Sequence, residues 1–236
     1  MKLRFVSALR AAGRSALLRA LPARARLPFD VWLARLRGVV EPELRYLHLY
    51  CPRQGSAVDV GAHHGHYSYR LSKLLPRVVA FDVNAALLVD LENYNPGNIR
   101  VVGQGLSSAP AELPLFIPLV DGRPLTGWGS LTEDNLPEAS SHLRKSARVT
   151  TLDAFGIDDV SFIKIDVEGH ELEVLKGAVK TLVRCHPMLL VEVKSHNSPA
   201  VDNLLADLGY SRRRLEDLIG ITGSPENAIF IANKPS

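Results

Sequence analysis

Residues 57–67 read Ala-Val-Asp-Val-Gly-Ala-His-His-Gly-His-Tyr, and the fold follows from them. Ala57, Val58 and Val60 make a short apolar run that ends at Gly61. A tight loop follows. From Tyr67 onward the apolar residues Tyr67, Leu71, Leu74 and Leu75 recur at helical spacing. This is a strand, a loop and a helix in succession, and the pattern repeats. Residues 78–83 (VVAFDV) read as a second strand, 85–94 as a helix and 99–102 as a third strand. Further on, 161–167 (SFIKIDV) and 188–193 read as strands, separated by a helix over 170–182. A helix near 201–208 and late strands around 211–215 and 228–232 complete the chain. Strands alternating with helices of this length predict βαβ units, hence an α/β fold with a mostly parallel sheet covered on both faces. The last pair suits an antiparallel sheet edge.

Residues 108–149 interrupt the rhythm. They hold Pro110, Pro114, Pro118, Pro124 and Pro137, and alternation over 112–117 predicts a β-hairpin. The region reads as an insertion, the kind of long connection that often carries function.

The chain has 236 residues, 46% hydrophobic and 22% charged, which excludes fibrous and wholly disordered classes. No apolar run reaches the roughly 18–20 residues that span a bilayer. Cys51 and Cys185 form no CxxC pair, so a reducing, cytoplasmic setting is expected. The net charge of +3 is unevenly placed. Residues 1–53 carry eleven Lys and Arg against Asp30, Glu41 and Glu43; the remainder carries 17 basic and 22 acidic groups. The expected division is a basic helical segment over 1–53, acting as cap or lid, and a main domain over 54–236. A broad nucleic-acid surface on the main domain is not expected. Arg10, Arg14 and Arg19 break every apolar run of the leader, which rules out a secretory signal. An Arg-rich, acid-free leader fits a transit peptide, a peripheral membrane contact or an amphipathic cap.

A glycine loop after a parallel strand lets backbone approach a nucleotide-like ligand closely. Gly61 and Gly65 are spaced GxxxG, unlike the GxGxxG of dinucleotide sites, and the Gly-Lys-Ser/Thr of a P-loop is missing. Asp59 suits a cation better than a pyrophosphate, so S-adenosylmethionine (SAM), with its sulfonium and ammonium groups, fits the charge. Asp82 ends the next strand, where a carboxylate can accept from both ribose hydroxyls.

VDVGAHHGHYS, VVAFDVN, VTTLDAF and above all FIKIDVEGHELEVLKGA resemble the FkbM-type SAM-dependent methyltransferases, over roughly residues 55–195 and in the right order. The resemblance implies a Rossmann-like class I methyltransferase fold with a seven-stranded sheet, and O-methylation of a sugar, glycan or natural-product hydroxyl. Two positions depart from the family's usual pattern: His63 stands for Asn, and Asp82-Val83 for Glu-Pro. The implied cofactor-binding residues are Asp59, Gly61, His63, Gly65, Asp82 and Val83.

Asp166, Glu168 and Glu171 surround Gly169 at the carboxyl edge of the 161–167 strand, where open α/β sheets bind ligands. An alcohol attacks a methyl group only as its proton leaves, and a carboxylate can take that proton. Asp166 and Glu168 are therefore the catalytic candidates, with His170 an alternative. Lys164 shares a strand face with Asp166 and suits an ion pair. Glu171 and Glu173 suit a helix start. Glu192, at the end of the next strand, His196 beyond it, and Trp128 and Ser130 in the insertion are candidate acceptor-binding residues. His63, His64 and His66 lack convergent ligand spacing, so no metal site is assigned. Competing readings are an NAD(P)-dependent oxidoreductase on a Rossmann-like sheet and a SAM- or nucleotide-binding module without catalysis.

Overall fold

β1 (Ser56–Val60) lies beside the middle of a seven-stranded sheet because every one of its residues is buried on both faces. The computed structural model describes residues 17–120, 122–124, 129–131, 141–194 and 197–233. In chain order the sheet also contains β2 (Arg77–Phe81), β3 (Ile99–Val102), β8 (Val160–Ile165), β9 (Met188–Glu192), β10 (Tyr210–Arg213) and β11 (Asn227–Ala232). Its spatial order is β10-β11-β9-β8-β1-β2-β3, and β11 alone runs opposite to the other six strands. The chain steps outward from β1 through β2 to β3, then returns to the other side of β1 as β8. That reversal leaves a crevice at the carboxyl ends of β1 and β8.

Two helical layers cover the sheet. On one face, Val58, Val60, Phe81, Ile163, Ile165 and Leu189 pack against Val174, Leu175, Leu182, Val201 and Leu205. These come from α6 (Glu171–Lys176), α7 (Val179–Cys185) and α8 (Ser198–Asp207). On the other face, Ala57, Val78, Ala80 and Phe162 meet Leu71 of α4 (His66–Leu71), Leu91 of α5 (Val89–Tyr94) and Leu215 of α9 (Leu215–Ile219). Leu27 and Val31 of α1 (Ala23–Leu36), Leu44 of α2 (Pro42–Arg45) and Leu47 of α3 (Leu47–Tyr50) share that second core.

Several elements differ from expectation for stated reasons. The helix expected over 170–182 is two helices, because Gly177 passes so close to the chain that a Cβ there would lie 2.0 Å from the Ser107 carbonyl oxygen. Pro28 sits inside α1, where it removes only the bond to the Arg24 carbonyl. The helix expected over 85–94 begins with a 3-10 turn (Ala85–Leu87) before α5.

The inserted region forms a second sheet of order β4-β7-β5-β6: β4 (Gly105–Leu106), β5 (Ala111–Val120), β6 (Arg123–Pro124) and β7 (His142–Thr150). β5 and β7 pair as an antiparallel hairpin, from Ala111↔Val149 to Pro118↔His142. β5 tolerates Pro114 and Pro118 because their nitrogens face away from β7. The N–H of Phe116, between them and on the same side, bonds the Ser130 carbonyl instead. Leu115 and Ile117 point the other way and pack on Val83, which fixes the insertion over the end of β2.

Candidate active site

Gly61, Asp82 and Asp166 follow β1, β2 and β8 directly and line one cavity of about 490 Å3. Val83, His63 and Glu168 line it too. The loop after β1 holds its shape through backbone bonds: the Gly61 and Ala62 amides both donate to the Phe81 carbonyl, and Gly65 donates to that of Ala62. Gly61 and Gly65 have φ of 75° and 83°. Gly65 packs on Leu91 rather than on the cavity, with space for no side chain there.

Asp82 pins this loop. Its two carboxylate oxygens each accept one amide, from His63 and from Asn84, both at 2.8 Å. Each oxygen retains lone pairs for a ligand. Burial raises the Asp82 pKa, and the two amides oppose that rise. His63 is held at φ 52°, a left-handed conformation that is uncommon outside glycine. Burial, and the neighbouring His64, push its ring down to about 4, so it is neutral at pH 7.

Asp59 does not reach the cavity. It is completely buried beneath the floor, where Ser68 donates to one oxygen at 2.6 Å. Its other oxygen has no hydrogen-bond partner and faces Lys164 Nζ at 4.0 Å. Lys164, opposite Asp59 in the β1–β8 register, donates to Asp166 at 3.0 Å and to the Gly61 carbonyl at 3.2 Å. Burial alone would lower the Lys164 pKa, but Asp166 and Asp59 together raise it. The Lys164 ammonium also stands over the Tyr67 ring, whose hydroxyl donates to Glu41.

Behind Asp166 lies a second polar cluster. Glu192 is hydrogen-bonded to Asp166 and does not line the cavity. Burial, then the bond and charge of Asp166, push its pKa up to about 9, so the pair shares one proton at pH 7. Lys194 reaches Glu192 at 2.8 Å, Glu226 at 3.3 Å and Glu168 at 3.4 Å. Burial raises the Glu168 pKa while Lys194 opposes the rise. Glu168 has φ 53°, and Gly169 follows at 96°. This sharp turn is held by Ser130 Oγ donating to the Glu168 carbonyl and Asn197 Nδ2 donating to that of Gly169. Ser130 therefore buttresses the turn and its hydroxyl is not on the cavity wall, although its neighbours Gly129 and Leu131 are. Trp128 and His196 lie outside the described residues. His170 is engaged with Ser107 at 2.9 Å and is absent from the wall.

The far wall comes from the N-terminal segment, which sequence reading gave no individual role. Leu33, Arg37, Val39, Val40 and Glu41 line the cavity. Asp30 of α1 meets His66 at the start of α4 at 2.9 Å and ties that wall to the glycine loop. The run Val39-Val40-Glu41-Pro42, apolar residues running into an acid before a helix-starting proline, is the one local signal that marks it.

The profile of the methyltransferase FkbM domain matches residues 59–212. No curated protein matches the chain. Among solved structures it is similar to the methyltransferase FkbM of Methylobacillus flagellatus KT, at 18% identity and a TM-score of 0.55. That match covers 94% of this chain and 58% of the other, so this chain spans less than two thirds of its relative. An rRNA methylase of Streptococcus thermophilus shares 13% identity with a TM-score of 0.48, over 81% and 95% of the two chains. A Streptococcus mutans protein described as a methyltransferase and solved in complex with SAH shares 15%, with a TM-score of 0.47, over 80% and 94%. At 18% identity the likeness to the Methylobacillus flagellatus protein is one of fold, the Rossmann-like sheet expected from the sequence.

Proposed function

The chain belongs to the FkbM methyltransferase family, and on that premise we propose that it transfers a methyl group from SAM to a hydroxyl of a sugar, glycan or natural product. The observation that carries the reading is the convergence of Gly61, Asp82, Asp166 and Glu168 on one cavity. Its volume suits a drug-sized ligand, for which pockets run from about 300 to 1,000 Å3.

The residues fit SAM. Gly61 lets the loop turn directly against the Asp166 backbone, an approach that any Cβ would prevent, and so sets the cavity floor. Asp82 offers acceptor lone pairs to a ribose diol. On the cavity wall the acids Asp30, Glu41, Asp82, Asp166 and Glu168 outnumber the cations Arg37 and Lys164, which favours a positively charged ligand. SAM supplies a methyl group already activated on a cationic sulfur.

The chain's own part is alignment and proton removal. An in-line displacement needs the acceptor oxygen held behind the methyl carbon. Glu168 suits the base: burial makes it more basic than an ordinary glutamate, and it lies on the wall. It takes the hydroxyl proton as the C–O bond forms. Asp166 is lowered instead, because Lys164 and the Glu192 bond outweigh burial, and it serves to hold Lys164 and the floor.

Titration calorimetry tests the cofactor reading. The intact protein binds SAM, and Asp82→Asn, which leaves one loop amide facing an NH2 group, weakens binding about 10- to 100-fold. No heat of binding with the intact protein overturns it. Incubation with labelled SAM and host extract then identifies the acceptor class.

A further inference from the structure

Five of the eight large apolar side chains exposed among the described residues lie between Leu17 and Leu49. Three of them cluster. Trp32 and Leu36 stand one turn apart on α1, on the side away from the buried Leu27 and Val31, and Val39 follows just past the helix end. They are 55%, 69% and 71% exposed. Arg35 and Arg37 are exposed between them. The same segment holds eleven basic residues against three acids in residues 1–53, and two of those acids, Asp30 and Glu43, are buried.

We propose that this patch docks the protein on an anionic membrane surface, with Trp32, Leu36 and Val39 entering the headgroup layer and Arg35 and Arg37 meeting lipid phosphates. Apolar side chains flanked by arginines on one helix match a surface that is apolar within and negative outside. Tryptophan is suited to that boundary because its ring is amphipathic. A second copy of this chain fits less well, since a twofold contact would set Arg35 and Arg37 against their own counterparts. Among the described residues no helix is long and apolar enough to cross a membrane, so the contact is peripheral.

Placement ties the patch to the cavity. Arg37 and Val39 also border the cavity itself. Docking there turns the opening toward the membrane, so the acceptor class becomes a hydroxyl compound anchored in or resting on the bilayer. That last step rests on the methyl-transfer reading; the docking itself does not.

Cosedimentation of the full chain with phosphatidylcholine vesicles, with and without phosphatidylglycerol, tests the docking. Binding is expected only with the anionic lipid and falls as salt rises. Arg35→Gln with Arg37→Gln weakens it about fivefold per residue, and Trp32→Ser with Leu36→Ser at least as much. Thermal melts of both variants report their folding, and a single Arg35→Gln provides a milder probe should a double variant unfold. Equal binding to both vesicle types, no binding by the intact chain, or binding unmoved in folded variants overturns the proposal, as does a dimer that Trp32→Ser with Leu36→Ser dissociates. Vesicle binding without methyl transfer to any lipid-anchored hydroxyl leaves the docking standing and overturns only the acceptor class.

Discussion

A Cβ placed on Gly61 would fall 1.8 Å from the carbonyl oxygen of Asp166. β1 and β8 therefore leave the sheet in contact, backbone against backbone, and the cavity floor depends on the missing side chain. Gly61 also has φ 75°. Gly61→Ala meets both obstacles, a left-handed backbone and an overlap with main chain that cannot rotate away. The expected loss is about 2–5 kcal/mol of stability, read as a lower urea midpoint, with SAM binding lost in whatever remains folded. A variant of normal stability and affinity would mean that the floor yields easily.

Lys164 neutralises the floor. Asp59 has no exposure, and one of its oxygens has no hydrogen-bond partner and faces this ammonium at 4.0 Å. Removing one partner of a buried pair leaves a charge with no compensation, a change worth about 3–5 kcal/mol. Lys164→Met is expected to destabilise by that order. Adding Asp59→Asn, which removes the stranded charge and keeps an acceptor for Ser68, should restore much of it. Additive losses in the double variant, measured by chemical denaturation, would contradict a charge origin.

What the sequence revealed and what it hid divide along the same physical line. Gly61, Asp82 and Asp166 were legible because each stands where a local pattern ends: an apolar strand stops and a polar or glycine residue follows. Period-two alternation likewise put Lys164 on the same face as Asp166, and their ion pair follows from it. Asp59 was misleading for the converse reason. Its position in the glycine motif suggested a ligand contact, but strand alternation turns it under α4, toward Ser68. Glu192 and Ser130 looked like pocket residues for being polar near a strand end or in the insertion; one is bonded to Asp166 and the other to the Glu168 carbonyl. Arg37, Val39 and Glu41 join the wall only through the docking of α1 on α4 and α5, a long-range event with no local periodicity.

Glu192 makes a pH prediction. Its carboxyl is held protonated in the folded protein, with a pKa raised from 4.5 to about 9 by burial and by Asp166. Between those values the folded state binds more protons than the unfolded chain. The contribution is thus fully present below about 4.5 and is lost as pH rises through about 9. Glu192→Gln mimics the protonated form at every pH, so its stability should fall less than the parent's across that window. Urea midpoints measured along a pH series check this, and parallel curves for the two proteins would reject the shared proton.

Glu168 combines strain with chemistry. A non-glycine residue at φ 53° beside the cavity is held there by Ser130 at its carbonyl and Lys194 at its carboxylate. The left-handed backbone costs about 1–2 kcal/mol, and the partly exposed pair with Lys194 returns about 0–1 kcal/mol. Glu168→Gly should therefore be as stable as the parent, or more so by about 1 kcal/mol, while losing methyl transfer. Glu168→Gln keeps the shape and removes the base, so kcat should fall about 100- to 10,000-fold, far more than SAM affinity. The parent's activity should rise on the alkaline side of the ordinary glutamate value, since burial raises Glu168. Lys194→Met removes the charge that opposes that rise and should move the limb to still higher pH. If Glu168→Gln retained full turnover, or if the limb stayed put without Lys194, the strained turn would be a structural feature and the base would have to be sought elsewhere on the wall.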